Sequence, residues 1–225
     1  MEQLHALSEF FEQFEPDIQR VTAFIAGSIV TGGCKEIGSI AAKNFSRILS
    51  KYRDTFRTRN GRDLVDDDLG AIPISVRAEF FRVASLVSED EIQEAWALLL
   101  SSFTEDPSRY AKVKFISILH NMDGLDTVVF KRVYECMIPE PSVQYQTSIL
   151  TRDLPLAAHC GDGIENQGTP ERVDPSPAVQ VSLENLERLS LIKPDLMWTG
   201  PNYSAVFRTR LGSEFAKALL GEVSA

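Results

Sequence analysis

The stretch Ser88–Phe103, SEDEIQEAWALLLSSF, decides how the rest of the chain is read. Ile92, Trp96, Leu99 and Phe103 recur at spacings of three and four, with Ala95 and Leu98 alongside. That is the period of a helix with one apolar face, and it makes Trp96 a core residue. Ser88-Glu89-Asp90-Glu91 reads as a capping box, in which Ser88 accepts from the Glu91 amide and Glu91 reaches back. Upstream, Val76, Phe80, Val83, Ala84 and Val87 make one face of a preceding helix. Downstream, beyond Pro107, Val113, Ile116 and Leu119 mark a helix from about Ser108 to His120. Asp123 is placed as the N-cap of another, with Leu125, Val128, Val129, Val133 and Cys136 inward. Four consecutive helices with short polar joints predict an α-helical bundle.

Outside this centre the pattern loosens. Phe10, Phe11, Phe14, Ile18, Val21 and Ile25 predict helix over residues 4–26, and Gly27, Gly32 and Gly33 break it. A second amphipathic helix is expected from Glu36 to about Arg59, with Ile37, Ile40, Ala41, Phe45, Ile48, Tyr52 and Phe56 as its stripe. Six prolines and three glycines punctuate residues 139–180. There a short helix is expected at Ser142–Arg152 and a long loop at Asp153–Ser176. Order returns with a helix capped by Ser182. Two β-prone runs follow, LMWT and YSAVFRT, joined through Gly200-Pro201-Asn202, and then a helix from Ser213. The expected fold is mainly α: a multi-helix bundle with a C-terminal winged-helix-like unit of helix, two-stranded ribbon and helix. The expected divisions are residues 1–62, 71–152, 153–180 and 181–225, with the last packed on the bundle.

Composition bounds the function classes. The chain has 225 residues, 44% hydrophobic and 24% charged, which excludes a disordered chain, a collagen-like chain and a disulfide scaffold. A chain this long needs neither metal nor disulfide to fold. Its net charge of −9 argues against a general nucleic-acid coat protein. Cys34, Cys136 and Cys160 are odd in number and widely spaced, the usage of thiols in a reducing compartment. The N-terminus is acidic and resembles neither a secretory signal nor a transit peptide. The longest uncharged stretch, Val21–Cys34, has 14 residues, against the roughly 20 that a spanning helix needs. A cytoplasmic protein is expected.

Charge is unevenly placed. Lys35–Arg62 holds eight basic and two acidic residues, so the rest of the chain carries −15. Lys43, Arg47 and Lys51 repeat every four residues and form one basic face. The plain reading is a solvated face neutralised by acidic neighbours; the sharper one is a surface for phosphate or anionic lipid. Trp198 in the ribbon, with Arg208 and Arg210 at the end of its second strand, are further candidate partner-binding residues. Chemistry, by contrast, finds no home. Asp66-Asp67-Asp68 lacks the spacing of a calcium loop and reads as a solvated turn. Gly27-x-x-x-x-Gly32 is followed by Gly33 and Cys34 where a phosphate loop needs Lys and a hydroxyl. His159-Cys160 with Asp162 has the residue types of a metal or nucleophile set but reads as loop. No catalytic residue, cofactor or metal is expected.

The centre and the end together resemble the Abi-alpha family, named for abortive infection, of bacterial phage-defence-associated proteins. The resemblance rests on Asp90, Ile92-Gln93, Trp96, Leu98-Leu99, Phe115, Leu119 and Asp126. At the end it rests on NLERLSLI followed by Thr209, Gly212 and Phe215, with Ser190 where the family more often has Gly. It covers about Ala71–Gly221 apart from the proline-rich loop. These are core and turn positions, so they imply a fold, and no catalytic residue carries over. The implied function is a non-enzymatic defence protein that binds a macromolecule as sensor, adaptor or effector. The expected partner is a protein. An anionic membrane met by the N-terminal helices, or a nucleic acid met by the C-terminal unit, are the alternatives, and homo-oligomerisation stays open.

Overall fold

The computed structural model describes residues 35–63, 66–136, 147–161, 173–197 and 200–221. The helix expected at 4–26, the glycines that follow it, and Trp198 lie outside the described residues. The chain divides into two compact units, Met1–Asn121 and Met122–Ala225.

The first unit is helical throughout its described part: α1 Lys35–Asn60, α2 Asp66–Gly70, α3 Ile74–Ala84, α4 Asp90–Glu105, α5 Pro107–Tyr110 and α6 Val113–His120. The long α1 lies along α4, and α3 packs on α1 and α6. Ala41, Phe45, Ile48, Tyr52 and Phe56 of the expected stripe are buried, whereas Ile40 is 56% exposed. Trp96 is fully buried and meets the Phe80 ring edge-on at 5.1 Å. Phe80 also contacts Phe103, and Phe45 meets Phe81 at 4.8 Å. Polar contacts flank this core. The Tyr52 hydroxyl bonds to Thr104 Oγ1 at 3.0 Å, and Arg59 donates to Ser102 Oγ at 3.0 Å. Burial raises the Tyr52 phenol above its ordinary pKa.

One local expectation fails here. The helix begins at Asp90 with Glu89 as N-cap, and no side chain caps it. The box from Ser88 to Glu91 is therefore out of register by one residue. Asp90 and Glu91 instead stand in the first turn, where the positive end of the helix favours them. The Gln93 side chain ties the entry by donating to Val87 O at 2.9 Å.

The second unit contains α7 Gly124–Glu135, β1 Ser148–Leu150, β2 His159–Gly161, α8 Pro177–Arg188, β3 Ile192–Met197, β4 Gly200–Arg208 and α9 Arg210–Leu220. The strands form one antiparallel sheet in the order β2-β1-β4-β3. α7 packs against α8 and α9. The sequence of helix, ribbon and helix is present as α8, β3–β4 and α9, and the chain is mainly helical as expected. Several readings are corrected. Ser182, expected as a cap, lies within α8, whose N-cap is Ser176, and the last helix starts at Arg210 behind the Thr209 cap rather than at Ser213. Ser148–Leu150, expected within a helix, is a strand, and the expected loop holds β2. Both strands have only three residues, too few to show a period. Gly200-Pro201-Asn202, expected as the turn, lies within β4, paired with Met197, Leu196 and Asp195.

The packing of Trp96 yields a graded prediction. Its indole nitrogen has no hydrogen-bond partner, so its contribution is volume and ring contact. Trp96→Ala should destabilise by about 3–5 kcal/mol. Trp96→Phe, which keeps a ring against Phe80, should cost less than half as much. Denaturant unfolding of both variants checks this; equal losses would show that the indole nitrogen matters after all.

Candidate functional site

Two features carry the candidate residues: the basic run of α1 and the junction that ends the second unit. On α1, Lys43 and Arg47 are exposed, one turn apart, on the side away from buried Phe45, Ile48 and Tyr52. Lys51 continues the face but is bound to Asp90 at 2.9 Å. Further along, Arg57 pairs with Asp63 at 2.6 Å and Arg59 with Glu105 at 3.7 Å. Arg62 holds both carboxylate oxygens of Asp68, at 2.8 and 2.6 Å. That bond raises the Arg62 pKa, and it gives Asp68 a structural partner. Acidic residues outside the basic run therefore neutralise Lys51, Arg57, Arg59 and Arg62 and leave Lys43, Arg47 and Arg53 facing solvent.

The second feature begins at α7. Asp123 accepts from the Asp126 amide at 2.8 Å, and Asp126 accepts from the Asp123 amide at 3.1 Å, a reciprocal cap. Asp126 is 3% exposed. Its carboxylate also accepts from Ser182 Oγ at 2.6 Å and Asn185 Nδ2 at 2.5 Å, which bolts α7 to α8. α8 ends in a Schellman turn: Leu191 N donates to Leu186 O and Ser190 N to Glu187 O. Ser190 takes the left-handed conformation this turn needs, with φ at 62°.

At the other end of α7, Tyr134 Oη donates to Leu191 O at 2.6 Å and accepts from Thr209 N at 3.2 Å. Thr209 caps α9 by accepting from Gly212 N at 2.9 Å. A Cβ on Gly212 would sit 1.9 Å from Tyr134 Oη and 2.3 Å from Leu191 O. Phe215 is buried against Phe130, ring centres 5.3 Å apart.

The sequence-named partner residues divide accordingly. Arg208 is 6% exposed. Its guanidinium donates to Val133 O at 3.1 and 2.7 Å and to Cys136 O at 2.5 Å, the last carbonyls of α7. A cation there complements the helix C-terminus, so its polar end is engaged inside the protein. Burial holds the guanidinium below its ordinary pKa, opposed by attraction to Cys136, Cys160 and Tyr134. Arg210 is exposed at the start of α9. His159 lies 3.2 Å from Asp153, and Cys160 beside it meets Cys136. No group of three or more His, Cys, Asp and Glu side chains among the described residues is placed to hold a metal.

The family model for abortive infection alpha matches residues 44–219, more than three quarters of the chain. The chain belongs to the abortive infection alpha family. No curated protein and no solved structure matches it. Membership supports an abortive-infection-like role. The matched region takes in Arg47, Lys51 and the whole Asp126–Tyr134–Thr209 junction and stops short of Lys43. No helix among the described residues is long and apolar enough to cross a membrane.

Two substitutions test the junction. Gly212→Ala should destabilise by about 3 kcal/mol or more, because the methyl would overlap both Tyr134 Oη and the backbone carbonyl of Leu191, and one of them must move. Ser190→Gly should stabilise by about 0.5–1 kcal/mol through relief of the left-handed backbone. Chemical denaturation measures both. Unchanged stability in Gly212→Ala would mean that α9 sits farther from Tyr134. A loss of stability in Ser190→Gly would mean that the turn is built otherwise.

Proposed function

We propose that this protein acts in antiviral defence of the abortive-infection kind by binding an anionic macromolecular partner through the exposed basic face of α1, and that it does so in the cytoplasm without catalysis. The observation that carries the reading is the placement of Lys43 and Arg47. They remain exposed on one face of a helix while Lys51, Arg57, Arg59 and Arg62 are matched by Asp90, Asp63, Glu105 and Asp68 and exposed Arg53 lies off that face. In a chain of net charge −9, such a face selects for negative partners. Binding without chemistry is supported by the work of the family-pattern residues, since Trp96, Asp126, Thr209, Gly212 and Phe215 are occupied in packing and capping.

The nucleic-acid reading through the C-terminal unit loses its main contact, because the Arg208 guanidinium is turned onto α7. The first of the N-terminal helices that the membrane reading uses lies outside the described residues.

Each cation near an anionic surface contributes about 1 kcal/mol. The double variant Lys43→Gln, Arg47→Gln should therefore lower partner affinity by roughly tenfold or more. Its unfolding free energy should stay within about 0.5 kcal/mol of the parent. Lys51→Gln should differ by losing the Asp90 pair, an effect of about 0–1 kcal/mol on stability. Phage plating on cells expressing each variant, beside melting curves, supplies the test. Full protection by the double variant would remove this face from the function.

A further inference from the structure

We propose that Cys136 and Cys160 form a redox-active dithiol, a modification site at which a low-molecular-weight disulfide oxidises the pair to an intramolecular disulfide. This inference is independent of the basic face. The two Sγ atoms lie 2.8 Å apart. A disulfide bond is about 2.05 Å long, so closure requires a movement of about 0.8 Å. Both residues are partly exposed, which lets a small reagent reach them.

The fold creates this proximity from residues 24 positions apart. Cys136 is the C-cap of α7. Cys160 pairs with Ile149 across β1–β2, and Ile149 pairs with Val206 across β1–β4. Directly opposed residues share a sheet face, and so does the residue two positions on. Cys160, Ile149, Val206 and Arg208 therefore share one face, and Arg208 there grips the Cys136 carbonyl. Arg208 is the positioning residue: it holds the end of α7 over the face from which Cys160 projects.

The chemistry balances in two exchanges. One cysteine thiolate attacks a sulfur of the disulfide reagent, forming a mixed disulfide and expelling one reagent thiolate. The second cysteine thiolate attacks the protein sulfur of that mixed disulfide and expels the second. The cysteines lose two electrons and two protons. The reagent gains the electrons, and the two expelled thiolates take up protons from the medium. The product ties the end of α7 to β2, one of the two edge strands of the sheet.

The test is equilibration of the full chain in glutathione buffers, followed by acid quenching, alkylation and peptide mapping, in native buffer and in concentrated urea. Mapping separates the Cys136–Cys160 linkage from any pairing with Cys34. The folded chain should form that linkage in a buffer at least tenfold poorer in oxidised glutathione than the unfolded chain needs, because the fold raises the effective concentration of one thiol at the other. Cys136→Ser and Cys160→Ser should each halt at a single mixed disulfide on the remaining member of the pair. Mixed disulfides alone on the folded parent, or a linkage that forms no more readily than in urea, would overturn the proposal.

Discussion

The Tyr134 hydroxyl donates to Leu191 O and accepts from Thr209 N, and the backbone of Gly212 passes directly against it. Three elements meet on that one oxygen: α7, the turn that leads from α8 into β3, and the entry of α9. Leu191 O also accepts from Thr209 Oγ1 at 2.9 Å and from Thr209 N at 3.3 Å, so Tyr134 and Thr209 share this carbonyl in one network, each such bond contributing about 0.5–1.5 kcal/mol. The rest of the second unit is arranged around this requirement. Thr209 must cap α9 so that its amide faces Tyr134. Position 190 must be left-handed so that Leu191 O is delivered there. Position 212 must lack a side chain.

Asp126 and Arg208 do for the ends of α7 what Tyr134 does for its flank. Asp126 closes the N-terminus and reaches Ser182 and Asn185; Arg208 closes the C-terminus by binding the Val133 and Cys136 carbonyls. Each charge is buried and each is matched to the helix end of opposite polarity. α7 is thus fixed at both ends by side chains that also belong to, or bind, other elements. The same clamp presents Cys136 to Cys160, so the geometry of the thiol pair follows from the geometry of the helix.

What the sequence disclosed follows from the range of the forces involved. Helices with a long apolar period, such as α1 and α4, are legible because their faces repeat over several turns. The Asp123 cap is legible because capping is local, whereas Ser88 and Ser182 show that a residue able to cap does not by itself fix where a helix starts. The strands β1 and β2 are not, since three residues between prolines and glycines carry no period, and their pairing is set by partners as distant as Val206. The exposed Lys43 and Arg47 can be named, but which cations of α1 are matched depends on Asp90 and Glu105 in another helix. Arg208 misleads for a related reason: strand alternation says which face a residue takes, not that α7 lies upon that face. The Cys136–Cys160 contact has no sequence signal, as its spacing fits no motif. Thr209, Gly212 and Phe215 are visible as a family pattern, and the structure supplies its cause as cap, close approach and ring contact.

The dependence of the second unit on the Tyr134 junction is tested most directly by a double-mutant cycle between Tyr134→Phe and Thr209→Ala, read by urea unfolding. If the hydroxyl and the α9 cap act as one network, the two losses will be non-additive by about 1 kcal/mol or more. Additive losses, within about 0.3–0.5 kcal/mol, would mean that Tyr134 and the α9 cap are independent and that the unit is held together elsewhere.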